Sequence, residues 1–252
     1  MVAASRVAPA PVPADVGIVA AIPIEVDPFL NLLQDRRRYR VERHLVHEGE
    51  LDGRLIVLTI TGPGQPAARR GAERLISGHR PRTLLSVGFA GALKEDLVRG
   101  QTICPLEVAD PSGERIRCGP SLAGEPPEGL LLAGRLLSVG QVVRTAADKA
   151  ALRRQSGADL VDMETYAVAR LCVERGIRFA SLRAISDEAG ENLPPEILSL
   201  VGPTGGYRVG AAFGAVLKRP RSLMTLLELR DRANHVADRL ATALRRLLAA
   251  LA

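Results

Sequence analysis

Carboxylates stand where several predicted β-strands end. Glu25 follows the first buried apolar run, and Asp187 closes the last one. Asp162 and Glu164 lie where a short strand gives way to a helical pattern. Carboxyl groups can donate a proton, accept one, or bind sugar hydroxyls. Because the carboxyl ends of strands in an open α/β sheet line one crevice, these acids predict an acid–base site at that edge.

The same strand ends carry a few other functional groups. Arg183 and Ser186 precede Asp187 on its strand, and two glycine-rich turns cover residues 61–64 and 86–93. These edges hold no histidine, no metal-ligand spacing and no Ser-His-Asp set, so we predict no metal site. Acids at a helix start also have a structural explanation as caps of the first turn. We assign Asp162 to that role or to support of the site, and no catalytic role to it.

Composition narrows the class of protein. The chain has 252 residues, of which 46% are hydrophobic, only 3% are aromatic and none is Trp. Scarce aromatics argue against stacking surfaces for single-stranded nucleic acid. Three widely spaced cysteines favour buried free thiols in a reducing compartment. Since no secretory signal and no membrane-spanning run is recognisable, we expect a cytoplasmic protein.

Alternating strand and helix patterns predict one α/β domain, with a central, mainly parallel or mixed sheet flanked by helices. We expect residues 1–15 to be a disordered Ala/Pro-rich tail and residues 16–252 to form the domain. A helix is predicted over 27–37, with Asp27 as N-cap and Pro28 at its first position. A turn at 52–53 should join two strands.

The basic excess lies at the C-terminal end. Residues 207–252 hold nine Lys and Arg against three acids, which equals the net charge of +6. Apolar residues at three- and four-residue steps predict an amphipathic helix over about 222–250, with its apolar face packed on the sheet. Charges interleaved with Leu and few aromatics argue against nucleic-acid binding. The segment 207–221 combines apolar residues with Lys218, Arg219 and Arg221, which predicts peripheral contact with the anionic inner face of the membrane.

Five ordered motifs resemble the purine nucleoside phosphorylase and nucleosidase superfamily. They are VGIVAAIPIEV, TGPGQPAA, SVGFAGAL, VDMETYAVA and RAISDEAG, within about residues 16–190. The methylthioadenosine/S-adenosylhomocysteine nucleosidases resemble this region most. The stretch RAISDEAGENLPPE and the following tail resemble the hopanoid-associated phosphorylases, which release adenine from adenosylhopane. The resemblance implies cleavage of a purine N-glycosidic bond.

The resemblance also implies roles for the acids. Asp187 corresponds to the acid that protonates purine N7, and it must carry a proton near neutral pH, which burial favours. Glu25 corresponds to the acid that activates the attacking water, and Arg183 would orient that carboxylate–water network. Glu164 corresponds to the carboxylate that binds the ribose hydroxyls.

Other matched positions surround the nucleoside. Met163 would pack under the ribose, and Thr61 would stand on the ribose side next to the attacking water. The base would lie against Val142, Val143 and Ser186, where an aromatic residue of the relatives is absent. The turns facing the nucleophile contain Gly62, Gly88 and Phe89.

Water is favoured over phosphate as nucleophile. Phosphorylases of the superfamily carry a phosphate-binding arginine where this chain has Ser86, and Phe89 replaces the serine of the turn. Glu25 would also repel a phosphate dianion. We therefore predict a hydrolase that needs no cofactor. Inorganic phosphate stays open as a co-substrate, because the basic tail could supply a phosphate site.

The predicted activity is adenine release from an adenosylhopane-type nucleoside in hopanoid biosynthesis. The alternatives are a methylthioadenosine/S-adenosylhomocysteine-type nucleosidase and a hydrolase of another purine nucleoside such as futalosine. A non-catalytic nucleoside-binding module is disfavoured because Glu25, Glu164 and Asp187 occur together. We expect a small-molecule or lipid-linked substrate and a homo-oligomer, with a dimer favoured.

Overall fold

A computed structural model describes residues 13–41, 44–194 and 220–252 of the chain, with side chains from residue 230 in the last range. Residues 207–219 of the predicted membrane-contact segment, and the side chains of Lys218, Arg219 and Arg221, lie outside what the structure describes. Most of the predicted disordered tail also lies outside them.

The described residues form twelve strands and five helices. The strands are β1 Val16–Ala20, β2 Gln34–Val41, β3 His44–Leu51, β4 Arg54–Ile60, β5 Thr83–Ala92, β6 Thr102–Cys104, β7 Glu107–Ala109, β8 Arg115–Arg117, β9 Leu130–Leu132, β10 Arg135–Ser138, β11 Leu160–Asp162 and β12 Arg178–Asp187. The helices are α1 Pro23–Leu30, α2 Gln65–His79, α3 Ala146–Ser156, α4 Thr165–Arg175 and α5 Pro220–Ala250. The predicted turn at Asp52 and Gly53 joins β3 to β4, which confirms that hairpin.

All strands belong to one mixed sheet, which confirms the predicted single α/β domain. Its main path runs β2-β3-β4-β1-β5-β11-β10-β7-β8, while β12 joins β5 to β6, and β6 joins β9. The pairs of β1 with β4 and β5 are parallel, as is the long pair of β12 with β5. The pairs of β3 with β4 and β11 with β5 are antiparallel.

Helix α1 differs from its prediction at both ends. It begins at Pro23 rather than at Asp27, and Pro28 lies inside it. The side chain of Glu25 accepts hydrogen bonds from the backbone N–H groups of Ala21 and Ile22, both at 3.0 Å, and so stabilises the earlier start. Residues 34–37, predicted as the last part of this helix, belong to β2. The prediction was therefore wrong by about four residues at the start and seven at the end.

The N-terminal boundary of the domain lies before residue 15. Ala14 is buried, and its N–H donates to the carbonyl of His79 at 2.9 Å. The carboxylate of Asp15 accepts a hydrogen bond from the N–H of Leu55 at 2.9 Å. Ala14 and Asp15, which the sequence placed in a disordered tail, therefore belong to the fold because both are tied to its strands and helices.

Helix α5 packs against α1 and β12, as its apolar periodicity predicted. Its buried residues are Val236, Ala237, Leu240, Ala241, Ala243, Leu244, Leu247 and Leu248. Within the described residues, no helix combines the length and the apolar character that a membrane crossing requires. The cysteines, Cys104, Cys118 and Cys172, are free and buried, as expected.

Candidate active site

A cavity of about 640 Å³ opens at the carboxyl ends of β1, β5, β11 and β12. Its volume is typical of pockets that enclose a small-molecule ligand. Eight of the predicted site residues line it, together with Asp162: Glu25, Phe89, Val142, Val143, Met163, Glu164, Ser186 and Asp187. The strand ends thus bring the predicted acids together in one place.

The position of the cavity follows from the pairing of β5. One edge of β5 pairs with β1 from Thr83 to Ser86 and with β11 at Gly91 and Ala92. Across residues 87–90 the edge passes from one partner to the other, and the chain leaving β1 turns into α1. The N–H of Phe89 donates instead to a carboxylate oxygen of Glu25, at 2.9 Å. A change of strand partner therefore leaves an opening that an acidic side chain enters.

Within the part of the chain that the structure describes, Glu25 receives its hydrogen bonds from backbone groups. One carboxylate oxygen accepts the N–H of Phe89, and the other accepts those of Ala21 and Ile22. Burial raises the pKa of Glu25 above its ordinary value, and the hydrogen bonds and the charge of Arg183 oppose this rise. A carboxylate with a raised pKa and a fixed position is suited to accept a proton from water.

Gly88 allows this arrangement although it does not line the cavity. A Cβ at position 88 would lie 2.5 Å from an Arg183 guanidinium nitrogen and 2.6 Å from a Glu25 carboxylate oxygen. Any larger residue would push these two groups away. The glycine is therefore required because two side chains approach the backbone of β5 closely.

Glu164 lies at the start of α4, on the opposite wall. One of its carboxylate oxygens accepts the N–H of Gly64 at 2.6 Å, and the other accepts the N–H of Met163 at 3.2 Å. Burial, together with the charge of Asp162, raises the pKa of Glu164 to about 8. Buried carboxylate oxygens with remaining lone pairs are suited to bind sugar hydroxyls.

Arg183 acts from behind the cavity rather than within it. Its buried guanidinium lies 2.9 Å from the carboxylate of Asp162 and donates to Ser86 Oγ at 2.6 Å. Asp162 in turn accepts the N–H of Thr165 at 3.0 Å, which confirms the predicted cap of the helix start. The predicted role of Arg183 in the carboxylate–water network stays a prediction. Its guanidinium forms an ion pair with Asp162 and donates to Ser86 and Thr165, and its charge also acts on Glu25.

Asp187 is the third acid that lines the cavity. Ser186 Oγ donates to one carboxylate oxygen of Asp187 at 2.6 Å, and Lys149 Nζ lies 2.6 Å from the other. Lys149 was not predicted, because a helical lysine ordinarily faces solvent. Its position three residues before Leu152, on the same face of α3, was the available signal.

Three of the predicted turn residues and one arginine lie outside the cavity wall. The hydroxyl of Thr61 donates to the carbonyl oxygens of Gly62, at 2.8 Å, and Ala20, at 3.3 Å. The hydroxyl is therefore bound to neighbouring backbone carbonyl groups, and the place of Thr61 beside the ribose and the water stays a prediction. Gly62 likewise does not line the cavity, and neither do Gly88 and Arg183.

Comparison with known proteins shows which family this chain resembles. A family model described as the phosphorylase superfamily matches residues 15–128 and 130–209. A 5′-methylthioadenosine/S-adenosylhomocysteine nucleosidase of Actinobacillus succinogenes is 28% identical over 195 residues, which cover 68% of this chain and 85% of that protein. A protein of the same name from Mycobacterium bovis is 25% identical over an alignment of 256 positions, which covers 83% of this chain and 98% of that protein.

Solved structures share the fold. Futalosine hydrolase of Helicobacter pylori has a TM-score of 0.67 at 19% identity, covering 93% of this chain and 97% of that chain. A 5′-methylthioadenosine/S-adenosylhomocysteine nucleosidase of Campylobacter jejuni has a TM-score of 0.69 at 18% identity, covering 93% and 98%. The single mixed sheet flanked by helices is thus an α/β fold shared with these nucleosidases. The chain belongs to the phosphorylase superfamily.

Proposed function

We propose that the protein is an enzyme that hydrolyses the N-glycosidic bond of a purine nucleoside and releases adenine. The observation that carries this proposal is the placement of Glu25, Glu164 and Asp187 on one cavity, each held by different partners. Cleavage of such a bond needs a base for water, a group for the sugar and an acid for the leaving purine. The cavity offers one carboxyl group for each task.

In the proposed reaction, the bond between the ribose C1′ and the purine N9 breaks, and its electron pair moves into the purine ring. Asp187 gives a proton to N7, so that the base leaves neutral. Water adds to C1′ and loses a proton to Glu25. The hydrogen bonds between Glu164 and the ribose hydroxyls become stronger as the sugar becomes cationic, which favours the transition state over the ground state.

Water is the better nucleophile for this cavity. A phosphate dianion would stand against the buried carboxylate of Glu25. Ser86, where phosphorylases have an arginine, accepts a hydrogen bond from Arg183. Among the described residues that line the cavity, the one Lys or Arg is Arg230, on α5. Because Arg230 would attract an anion at its end of the cavity, the activity test is made both with and without phosphate.

The substrate that we propose is an adenosyl lipid of the adenosylhopane type. Beside the acids, the cavity is lined by apolar residues of the α1 start, by Leu193 and by Ala233 of α5. Such a wall suits a large apolar group on the 5′ carbon of the ribose. Methylthioadenosine and S-adenosylhomocysteine are the alternatives, because the curated relatives carry these substrates in their names.

Adenine release from a panel of nucleosides tests the proposal. Purified protein is mixed with adenosylhopane, methylthioadenosine, S-adenosylhomocysteine or futalosine, each with and without phosphate, and products are separated by liquid chromatography. We expect a free purine base and a free sugar, independent of phosphate, with the adenosyl lipid cleaved best. A phosphorylated sugar that forms only with phosphate would overturn hydrolysis, and a preference for methylthioadenosine would replace the lipid as substrate.

We also propose that the enzyme meets this lipid at an anionic membrane surface. The support is the sequence of residues 207–221, where apolar residues adjoin Lys218, Arg219 and Arg221. Each basic residue near such a surface contributes about 1 kcal/mol of attraction. Flotation with liposomes of anionic lipid should carry the wild type at low salt and release it at high salt, and a triple alanine variant of the basic residues should stay in solution. A wild type that never floats contradicts membrane contact.

A further inference from the structure

Lys149 is completely buried beside the proposed acid. Its side chain has 0% exposure, and its ammonium nitrogen lies 2.6 Å from Asp187 Oδ2. The same nitrogen donates to the carbonyl oxygens of Glu188, at 2.6 Å, and Glu191, at 3.1 Å. Three acceptors match the three N–H groups of an ammonium. A buried lysine with a complete set of acceptors is therefore a built part of the site.

The other charged groups around this pair have partners of their own. The carboxylate of Glu191 pairs with the guanidinium of Arg99 and lies 3.5 Å from that of Arg232. A carboxylate oxygen of Glu188 accepts the N–H of Arg99 at 3.1 Å. On α3 itself, Asp148 is bound by the hydroxyl of Thr145. The ammonium of Lys149 therefore has Asp187 as its counter-ion among the described residues.

This pairing changes what the acid must do. A buried ammonium stabilises the ionised form of the carboxylate next to it. The proposed function, on which this inference rests, requires Asp187 to deliver a proton to the purine.

We propose that Lys149 is the proton source of the reaction and that Asp187 passes its proton on. As the bond to N9 breaks, a proton moves from Lys149 to the carboxylate of Asp187 and from there to N7. Lys149 becomes a neutral amine, Asp187 is again a carboxylate, and the base leaves neutral. The proton that Glu25 removes from water returns through the solvent in the cavity to Asp187 and from there to the buried Lys149, which closes the cycle without any further reactant.

Simple anchoring would not require an ammonium at this position. Ser186 Oγ already orients Asp187 through the opposite carboxylate oxygen, at 2.6 Å. A neutral donor could bind the two carbonyl oxygens, whereas a buried charge pair carries a large desolvation cost. Lys149 acts through Asp187 and does not touch the substrate, so its role must be tested by a property that anchoring does not change.

The test compares the pH dependence of two substrates in a Lys149→Met variant. Adenine release from a nucleoside that the wild type cleaves needs protonation at N7. Release of 4-nitrophenolate from 4-nitrophenyl β-ribofuranoside needs no acid, because this leaving group is stable as an anion. Lys149→Gln is a second variant that keeps a donor for the carbonyl oxygens. The control is Lys94→Met, which removes an exposed lysine that pairs with Asp96 at 2.7 Å.

We expect kcat/KM for adenine release by Lys149→Met to lose its alkaline limb earlier, by more than about one pH unit, because Asp187 must then take its proton from solvent. At low pH the rate should recover to within about tenfold of wild type, and nitrophenolate release should change less than about threefold. Lys149→Gln should behave in the same way, and Lys94→Met should match wild type.

Three results would overturn the proposal. An equal loss on both substrates at every pH would make Lys149 an anchor, and an unchanged profile would give it no part in the reaction. Loss of nitrophenolate release in both variants, with loss of the folded state, would make its role structural. Failure of the proposed function is distinguishable, since the wild type would then release adenine from no nucleoside.

Discussion

The two ends of the cavity hold their acids in different ways. Glu25 receives its hydrogen bonds from three backbone N–H groups, of Ala21, Ile22 and Phe89. Asp187 is bound by two side chains, the hydroxyl of Ser186 and the ammonium of Lys149. Backbone groups cannot give up a proton, so they fix a carboxylate in place. An ammonium can, so the contrast separates an end that accepts protons from an end that supplies them.

The largest expected effect is at the supplying end. Asp187→Asn should lower adenine release by about 10²- to 10⁴-fold, because the amide cannot deliver a proton. The variant should also lose about 3–5 kcal/mol of unfolding free energy, because Lys149 is left buried without a counter-ion. Steady-state kinetics and urea unfolding measure the two losses.

A double variant separates these losses. Adding Lys149→Met to Asp187→Asn should recover part of the stability but none of the activity, since the remaining buried charge is removed. Asp96→Asn, at the exposed pair with Lys94, is the control and should change neither property. Near-normal turnover of Asp187→Asn would show that the acid has been assigned to the wrong residue.

A smaller effect is expected at the accepting end. Glu25→Gln should lower turnover by about 10²-fold, because the amide cannot take a proton from water. It should cost about 1–3 kcal/mol of stability, since its NH2 group must face a backbone N–H. If both acids served the same end of the reaction, the pH profiles of the two variants would lose the same limb, which is the outcome that contradicts the contrast.

Between the two ends, Glu164 should matter only for substrates with sugar hydroxyls. Glu164→Ala should reduce kcat/KM for ribosides by about 10- to 100-fold, the value of about two hydrogen bonds between its carboxyl group and the sugar hydroxyls. With 2′,3′-dideoxy nucleosides the loss should nearly vanish, because the partner groups are absent from both sides of the comparison. Equal losses on both substrates would reduce Glu164 to a residue that shapes the start of α4.

The smallest effect concerns stability and pH. The pKa of Glu164 is raised from 4.5 to about 8 by burial, so the folded state holds a proton that the unfolded state releases in this range. Stability due to this group is therefore lost as pH rises from 4.5 to about 8. The difference in unfolding free energy between Glu164→Gln and wild type should move in favour of the variant across that window. A constant difference in chemical denaturation at several pH values would contradict the raised pKa.

The acids were accessible to sequence reasoning because strand ends are easy to recognise. Buried apolar runs fix where β1, β11 and β12 end. Strands β1 and β12 run parallel to β5 and bring Glu25 and Asp187 to one edge, as expected. Strand β11 meets the end of β5 in an antiparallel pair, and this brings Glu164 to the same place. The start of helix α1 was harder to predict, since Asp27-Pro28 is as good a start signal as Ile22-Pro23. The bonds from Ala21 and Ile22 to Glu25 decide the start, and they form only when the chain leaves β1.

The contacts of Lys149 and Thr61 could not be predicted for a related reason. A lysine in a helix has no partner within its own segment, and here the partner arrives from β12, 38 positions along the chain. The hydroxyl of Thr61 binds carbonyl oxygens next to it in the turn. Such competition between backbone and ligand depends on the conformation of the turn, which residue types do not specify.

Strand β5 fixes the spacing between Glu25 and Asp187, the acids proposed to act on the water and on the purine. Phe89 of β5 binds Glu25 through its N–H, and a Cβ at Gly91 of the same strand would lie 3.0 Å from Asp187 Oδ2. At about 3.3 Å per residue, these two positions are about 7 Å apart. Two residues of extended chain therefore act as a spacer between the water and the departing base. An insertion at residues 89–91 would spoil both steps at once, so this short stretch should tolerate length changes least of any part of the sheet.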